Sequence, residues 1–154
     1  MTESKADKAA TSEGEAPPEP DIISPEPDVM LAGLVDLLNR SPGAELGVTL
    51  HVSGTVVSGL MISGESFIDR QKAALAELGE AGTSLAGYFD IFRNIYVEKR
   101  EADEPFLKPP LPFYIHLRSA SILDAASNQI TFPLWRGRLS EVSGWSIGNL
   151  GTIE

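Results

Sequence analysis

Large apolar residues are almost absent before position 22, and beyond it they fall into blocks of two different periods. After Pro27, a residue suited to the first turn of a helix, Val29, Met30, Leu34, Leu37 and Leu38 recur at helical spacing, and Asn39-Arg40-Ser41-Pro42-Gly43 ends the run. Leu46, Val48, Leu50 and Val52 then alternate with Gly47, Thr49, His51 and Ser53, the period of a half-buried strand. Ser53-Gly54 predicts a tight turn and residues 55–62 a returning strand, in which Gly59 marks a bulge or a close backbone approach. Ser63 is a fair N-cap for an amphipathic helix over 65–78, carrying Phe67, Ile68, Leu75 and Leu78 and ended by Gly79. A second helix is predicted from 83 or 84 to about 99. Its Leu85, Tyr88, Phe89, Phe92, Ile95 and Tyr96 form one broad stripe, widened by Ile91, opposite Asp90, Arg93, Asn94 and Glu98.

Prolines 105, 109, 110 and 112 make the next segment a loop. Residues 113–123 read as a third strand, with Phe113, Ile115 and Leu117 on one face and Tyr114, His116 and Arg118 on the other. The last strands are predicted over 130–139 and 142–147, with Gly137 and Gly144 as bend points. Helices segregated from strands imply an α+β fold: an antiparallel sheet, or a small Sm-like barrel, of about five strands with an N-terminal helix and two inserted helices. The barrel alternative rests on an N-terminal helix, a bent hairpin, a third strand and a late Arg-Gly-containing hairpin.

Charge divides the chain. Of a formal net charge of −10, residues 1–28 hold eight acidic side chains against Lys5 and Lys8, so the remainder is only mildly acidic. Residues 1–26, rich in Pro and Glu, cannot bury enough surface to offset ordering entropy and are read as a disordered acidic tail ahead of a single domain over 27–154. A solubilising segment and a repulsive brush between assembled particles are the two roles open to it. An acidic chain is a poor ligand for nucleic acid or for an anionic membrane surface, and neither is expected as a partner. No apolar run reaches the roughly 18 residues of a membrane helix, and the first residues lack the order of a signal peptide, so a cytoplasmic protein is expected. With no cysteine, thiolate chemistry and disulfides are excluded.

No catalytic constellation is found. Gly43, Gly47 and Gly54 lack phosphate-loop spacing, and Ser58-Gly59 lies within a strand rather than at a strand-to-helix corner. His51 and His116 fall on the polar faces of different strands, too few for a metal motif. Glu65 and Asp69 share a helix face, where a cation such as Arg70 or Lys72 would relieve them, and read as surface. No enzyme activity, cofactor or metal is expected. Two segments suggest protein contact instead. The stripe at Tyr88, Phe89 and Phe92 either covers the sheet or leaves an exposed patch. The block 135–145, with Trp135, Arg136, Arg138 and Trp145, is either core and hairpin packing or an interface. A general protein-interaction or small-ligand domain remains the alternative.

Three blocks carry a resemblance: Val52-Ser53-Gly54-Thr55-Val56-Val57-Ser58-Gly59-Leu60-Met61-Ile62-Ser63 followed by Phe67 and Asp69; Tyr114-Ile115-His116-Leu117-Arg118; and Leu134-Trp135-Arg136-Gly137-Arg138-Leu139-Ser140-Glu141-Val142. In this order, over about 43–148, they resemble the gas vesicle accessory protein U family. The resemblance implies a cytoplasmic accessory protein, associated with gas vesicles, that acts in vesicle assembly, chaperone-like handling of shell protein or vesicle clustering. Its implied partners are the shell or other accessory proteins, with self-association a further expectation. The acidic tail is not part of the family pattern.

Overall fold

Asp28 opens the fold in the computed structural model, which describes Gly14 and residues 26–150; the expected disordered tail lies almost wholly outside the described residues. Its Oδ1 accepts from the backbone N–H of Met30 (2.8 Å) and Leu31 (3.3 Å), so α1 runs over Val29–Arg40 and Pro27 sits just outside it. The chain continues through β1 (Leu46–Val52), β2 (Thr55–Ile62), α2 (Gly64–Ala76), α3 (Glu80–Glu101), β3 (Tyr114–Leu123), β4 (Gln129–Arg138), a 3-10 turn (Leu139–Glu141) and β5 (Val142–Ile147). Ser63 caps α2, its Oγ accepting from Ser66 N at 3.0 Å. Ser53 and Gly54 both take positive φ in the β1–β2 turn.

The five strands form one antiparallel sheet in the order β4-β3-β2-β1-β5, so the fold is α+β with an open sheet and the barrel alternative is not realised. The late hairpin is also corrected. After β4 the chain turns inward at Leu139, whose side chain is buried and whose N–H donates to Phe113 O at 2.9 Å. It therefore cannot fold back on β4, and β5 instead pairs with β1, setting Leu50 opposite Trp145 at the far edge. At Gly59 the β2–β3 register shifts, and a Cβ there would lie 3.0 Å from Arg118 O and 3.2 Å from Ala120 Cα. The bulge and the close approach are one feature: β3 carries the extra residue, with Ser119 (at positive φ) and Ala120 standing opposite the single residue Gly59, and the strands touch there because Gly59 has no side chain.

Alternation along the strands builds a core on each face. Leu31, Val35 and Leu38 of α1 pack on Val48, Leu50, Val57, Met61, Ile115 and Leu117. On the other face Ile62 meets Phe67 and Ile68 of α2, with Phe89 and Tyr96 of α3 and Leu134 of β4 packed around them. Where β2 ends, Asn39 Oδ1 accepts from Gly64 N at 2.9 Å, which joins the end of α1 to the start of α2.

Candidate functional site

The two inserted helices decide which surface is exposed. α2 presents Glu65, Asp69 and Lys72 to α3, and α3 answers with Arg93, Arg100 and Asp90. Arg93 donates to Asp69 Oδ1 at 2.7 Å and to Glu65 Oε1 at 3.1 Å; Arg100 reaches Glu65 Oε2 at 3.1 Å. The Asp69 bond, followed by its charge, raises the Arg93 guanidinium above its already high value. Glu65 is therefore a buried carboxylate held by two arginines, and the expected surface role is corrected. Its relief comes from α3, while Arg70 turns to Glu45 and Lys72 to Asp90.

Small residues complete this inversion. Gly82 and Ala86 are buried, and a Cβ at Gly82 would overlap the Leu75 carbonyl. The polar and small side of α3 thus faces its neighbour, and the apolar stripe is left largely in solvent. Leu85, Tyr88, Ile91, Phe92 and Ile95 are between 38 and 62 % exposed. Only Phe89 and Tyr96 turn toward the sheet. Tyr88 bridges to Phe89 and Phe92 by edge contacts at 5.5 and 5.3 Å.

The block 135–145 is divided between the two sheet edges. Trp135 is half-buried on the α1 face, where its ring lies over Gly137; a Cβ at Gly137 would collide with it. Arg136 points to the opposite face and stacks on Tyr114, 3.8 Å from the ring centroid. Arg138 is exposed, 3.9 Å from Glu141. Trp145, on β5, is half-buried against the α1-side core, and its Nε1 donates to Asp28 Oδ2 at 3.2 Å. The structure thus brings Tyr88, Phe89 and Phe92 together and separates Trp135 from Trp145.

Sequence periodicity did not single out a second apolar surface. Val29, Met30, Leu34 and Leu37 of α1, with Phe106, Trp145 and Ile147, line a cleft of about 410 Å³. Its signal was the crowding of apolar residues around most of α1, more than one buried face requires. His51 and His116 stay apart. His51 pairs with Val56 and His116 with Ile62, six residues along β2, or about 20 Å. His116 is 3 % exposed, against Phe67 and Tyr96, and its Nδ1 has no hydrogen-bond partner. Burial, helped by the nearby Arg136 charge, lowers its pKa to about 3, so the ring is neutral. Among the described residues no three His, Asp or Glu side chains gather at metal-binding range, and no helix is long and apolar enough to cross a membrane.

No curated protein and no solved structure matches this chain. Residues 28–150 do match the family model for the gas vesicle protein GvpU-like family, from the cap of α1 to just past β5. That span takes in the whole sheet and all three helices, so the chain belongs to the GvpU-like family of gas vesicle proteins.

Proposed function

We propose that this protein is a non-enzymatic accessory protein, cytoplasmic with the gas vesicles it serves, that binds an apolar surface of another gas vesicle protein through α3. The observation that carries this reading is the stripe Leu85, Tyr88, Ile91, Phe92 and Ile95, exposed along one side of a helix whose polar side is consumed by α2. Monomeric soluble proteins rarely leave so continuous an apolar stripe in water unless something binds it. A shell that keeps liquid water out of a gas space needs an apolar face, and its subunit exposes that face until it is assembled. Chaperone-like handling of such a subunit fits best, with vesicle assembly or clustering as the related roles.

Within the proposed domain of residues 27–154, Tyr88 and Phe92 make the contact and Phe89 supports them from below. Arg136 and Arg138 offer cationic contacts at the β4 edge, while Trp135 and Trp145 hold the sheet on which they stand. The acidic side chains concentrated in residues 1–28 keep the complex dispersed by repulsion.

Flotation tests the proposal. The tagged protein is expressed with a gas vesicle gene set, and the buoyant layer is assayed after gentle centrifugation. Enrichment in that layer, lost on vesicle collapse and in Tyr88→Ser/Phe92→Ser, is the expected result. Retention in the soluble fraction, with normal vesicle yield and dispersion when the protein is deleted, would overturn it.

A further inference from the structure

Toward its C-terminal end the apolar stripe of α3 runs into a cavity. Leu85, Tyr88, Phe92 and Ile95 follow one line of the helix, and Ile95, exposed like the others, also forms part of the cavity wall. The end of α1 and residues 110–114 close the other sides around a volume of about 190 Å³. A cavity of about 150 Å³ is enough for benzene, so this one has room for a single ring or a branched alkyl group.

The charges that line it already have partners. Arg40 donates to Asp36 Oδ2 at 3.2 Å and to the carbonyls of Glu104 and Pro105 at 2.7 and 3.1 Å. Arg100 is held by both carboxylate oxygens of Glu65. Lys99, with Glu98 and Glu101 beside it on the helix, donates to Pro110 O at 3.1 Å. The amide oxygen of Asn39 is taken by Gly64 N. What remains for an occupant is apolar: Ile95, Leu111 and Phe113, with the rings of Tyr96 and Tyr114. This wall is preformed. Prolines 110 and 112 fix their own φ, Phe113 O accepts from Leu139 N at 2.9 Å, and Arg136 stacks on Tyr114. Phe113 is nevertheless 69 % exposed, a ring left in water at the edge of an apolar cavity.

We propose that this cavity is the anchor socket of the partner site: one large aliphatic or aromatic side chain of the bound protein seats in it, next to the segment that lies along the stripe. Continuity selects that occupant. Ile95 belongs to both surfaces, so a segment that follows Tyr88, Phe92 and Ile95 arrives at the cavity. Charge selects it as well. A charged group entering here would lose its hydration and find each lining cation already bonded to oxygen, whereas an apolar group has no hydrogen bonds to lose. Interfaces draw most of their affinity from a few such side chains seated in pockets. The inference rests on the proposed function for the partner, and adds to it a contact outside α3.

Two measurements on the full chain test this. Toluene, titrated without vesicles, should shift the backbone amide signals of Ile95, Tyr96, Leu111, Phe113 and Tyr114 saturably, while benzoate and benzylammonium at the same concentration should not. Flotation is then titrated with vesicles for Phe113→Ser, which removes the exposed ring at the cavity, and for Leu111→Trp, which fills the cavity from its wall. Neither residue belongs to the stripe. Each variant should need about tenfold more vesicles than wild type for half recovery, and Phe113→Ser should melt with the wild type. Toluene shifts that miss these residues, or that fall only on the cleft between α1 and β5, overturn the proposal. So does wild-type flotation of Phe113→Ser: with Tyr88→Ser/Phe92→Ser still lost from the buoyant layer, that result removes the socket and leaves the proposed function standing. Toluene binding by a chain that never floats removes both, and makes the cavity a site for a free apolar molecule.

Discussion

Trp145 and Asp28 lie 117 positions apart in the chain, yet the indole N–H of one donates to the carboxylate of the other at 3.2 Å. The second oxygen of that carboxylate caps α1, so one side chain fixes where the first helix starts and where the last strand lies across it. The indole bond, with the backbone N–H bonds behind it, holds the Asp28 carboxyl below its ordinary value of 3.8. A depressed carboxyl contributes stability above its ordinary pKa and loses it as pH falls through the folded one. Trp145→Phe keeps a ring and removes the donor. Its melting temperature should be below wild type at pH 7, with the gap narrowing below pH 3.8, as thermal melts across that range would read.

His116 titrates in the other pH window. Its folded pKa of about 3 lies below the ordinary 6.5, so between the two the unfolded chain binds a proton that the folded chain does not. Stability from this residue is complete above pH 6.5 and declines toward pH 3. By pH 5 the loss is about 2 kcal/mol, at 1.36 kcal/mol per pKa unit. His116→Leu removes the titrating ring and the orphaned Nδ1 together. Denaturant unfolding at pH 7 and pH 5 should show the wild type losing about that much more than the variant.

Phe89 and Phe92 are neighbours on α3 with opposite fates. Phe89 packs on Ile62, Phe67 and Ile68, whereas Phe92 stands in the exposed stripe. Phe89→Ser should cost about 2–3 kcal/mol, the lower end of the range for a large-to-small core change because the ring is only half-buried. Phe92→Ser should leave the unfolding midpoint nearly unchanged while abolishing recovery with buoyant vesicles. Equal destabilisation by both changes would place the stripe in the core after all.

Gly82 sets the distance between α2 and α3. A methyl group there meets the Leu75 carbonyl, and backbone cannot move aside as the end of a side chain can. Gly82→Ala should therefore cost about 1–3 kcal/mol despite the better helix propensity of alanine, a reversal of the usual sign that chemical denaturation would detect. Gly87, with open space around its α-carbon, is the control: Gly87→Ala should stabilise by up to about 1 kcal/mol.

The sequence by itself determined the elements. Alternation from Leu46 to Val52, the Ser53-Gly54 turn, the Ser63 cap and the glycine in β2 are each enforced within a few residues, and they stand where local chemistry puts them. The family was legible too, because its three blocks are local strings in a fixed order. Tertiary structure decided which side of each element met the rest. A period of 3.6 shows that α3 has an apolar side and a polar side, but not that Glu65 and Asp69 would capture the polar one. Nor does it show that Gly82 and Ala86 would bring α2 close enough to do so. The two tryptophans were parted in the same way: ten residues separate them in the chain, and the whole width of the sheet separates them in space, because buried Leu139 turns β5 toward β1. Propensity, turns and caps act over a few positions and can be read in order. Ion pairs, close backbone approach and strand pairing join residues distant in sequence, and only the folded chain decides among the partners available to each.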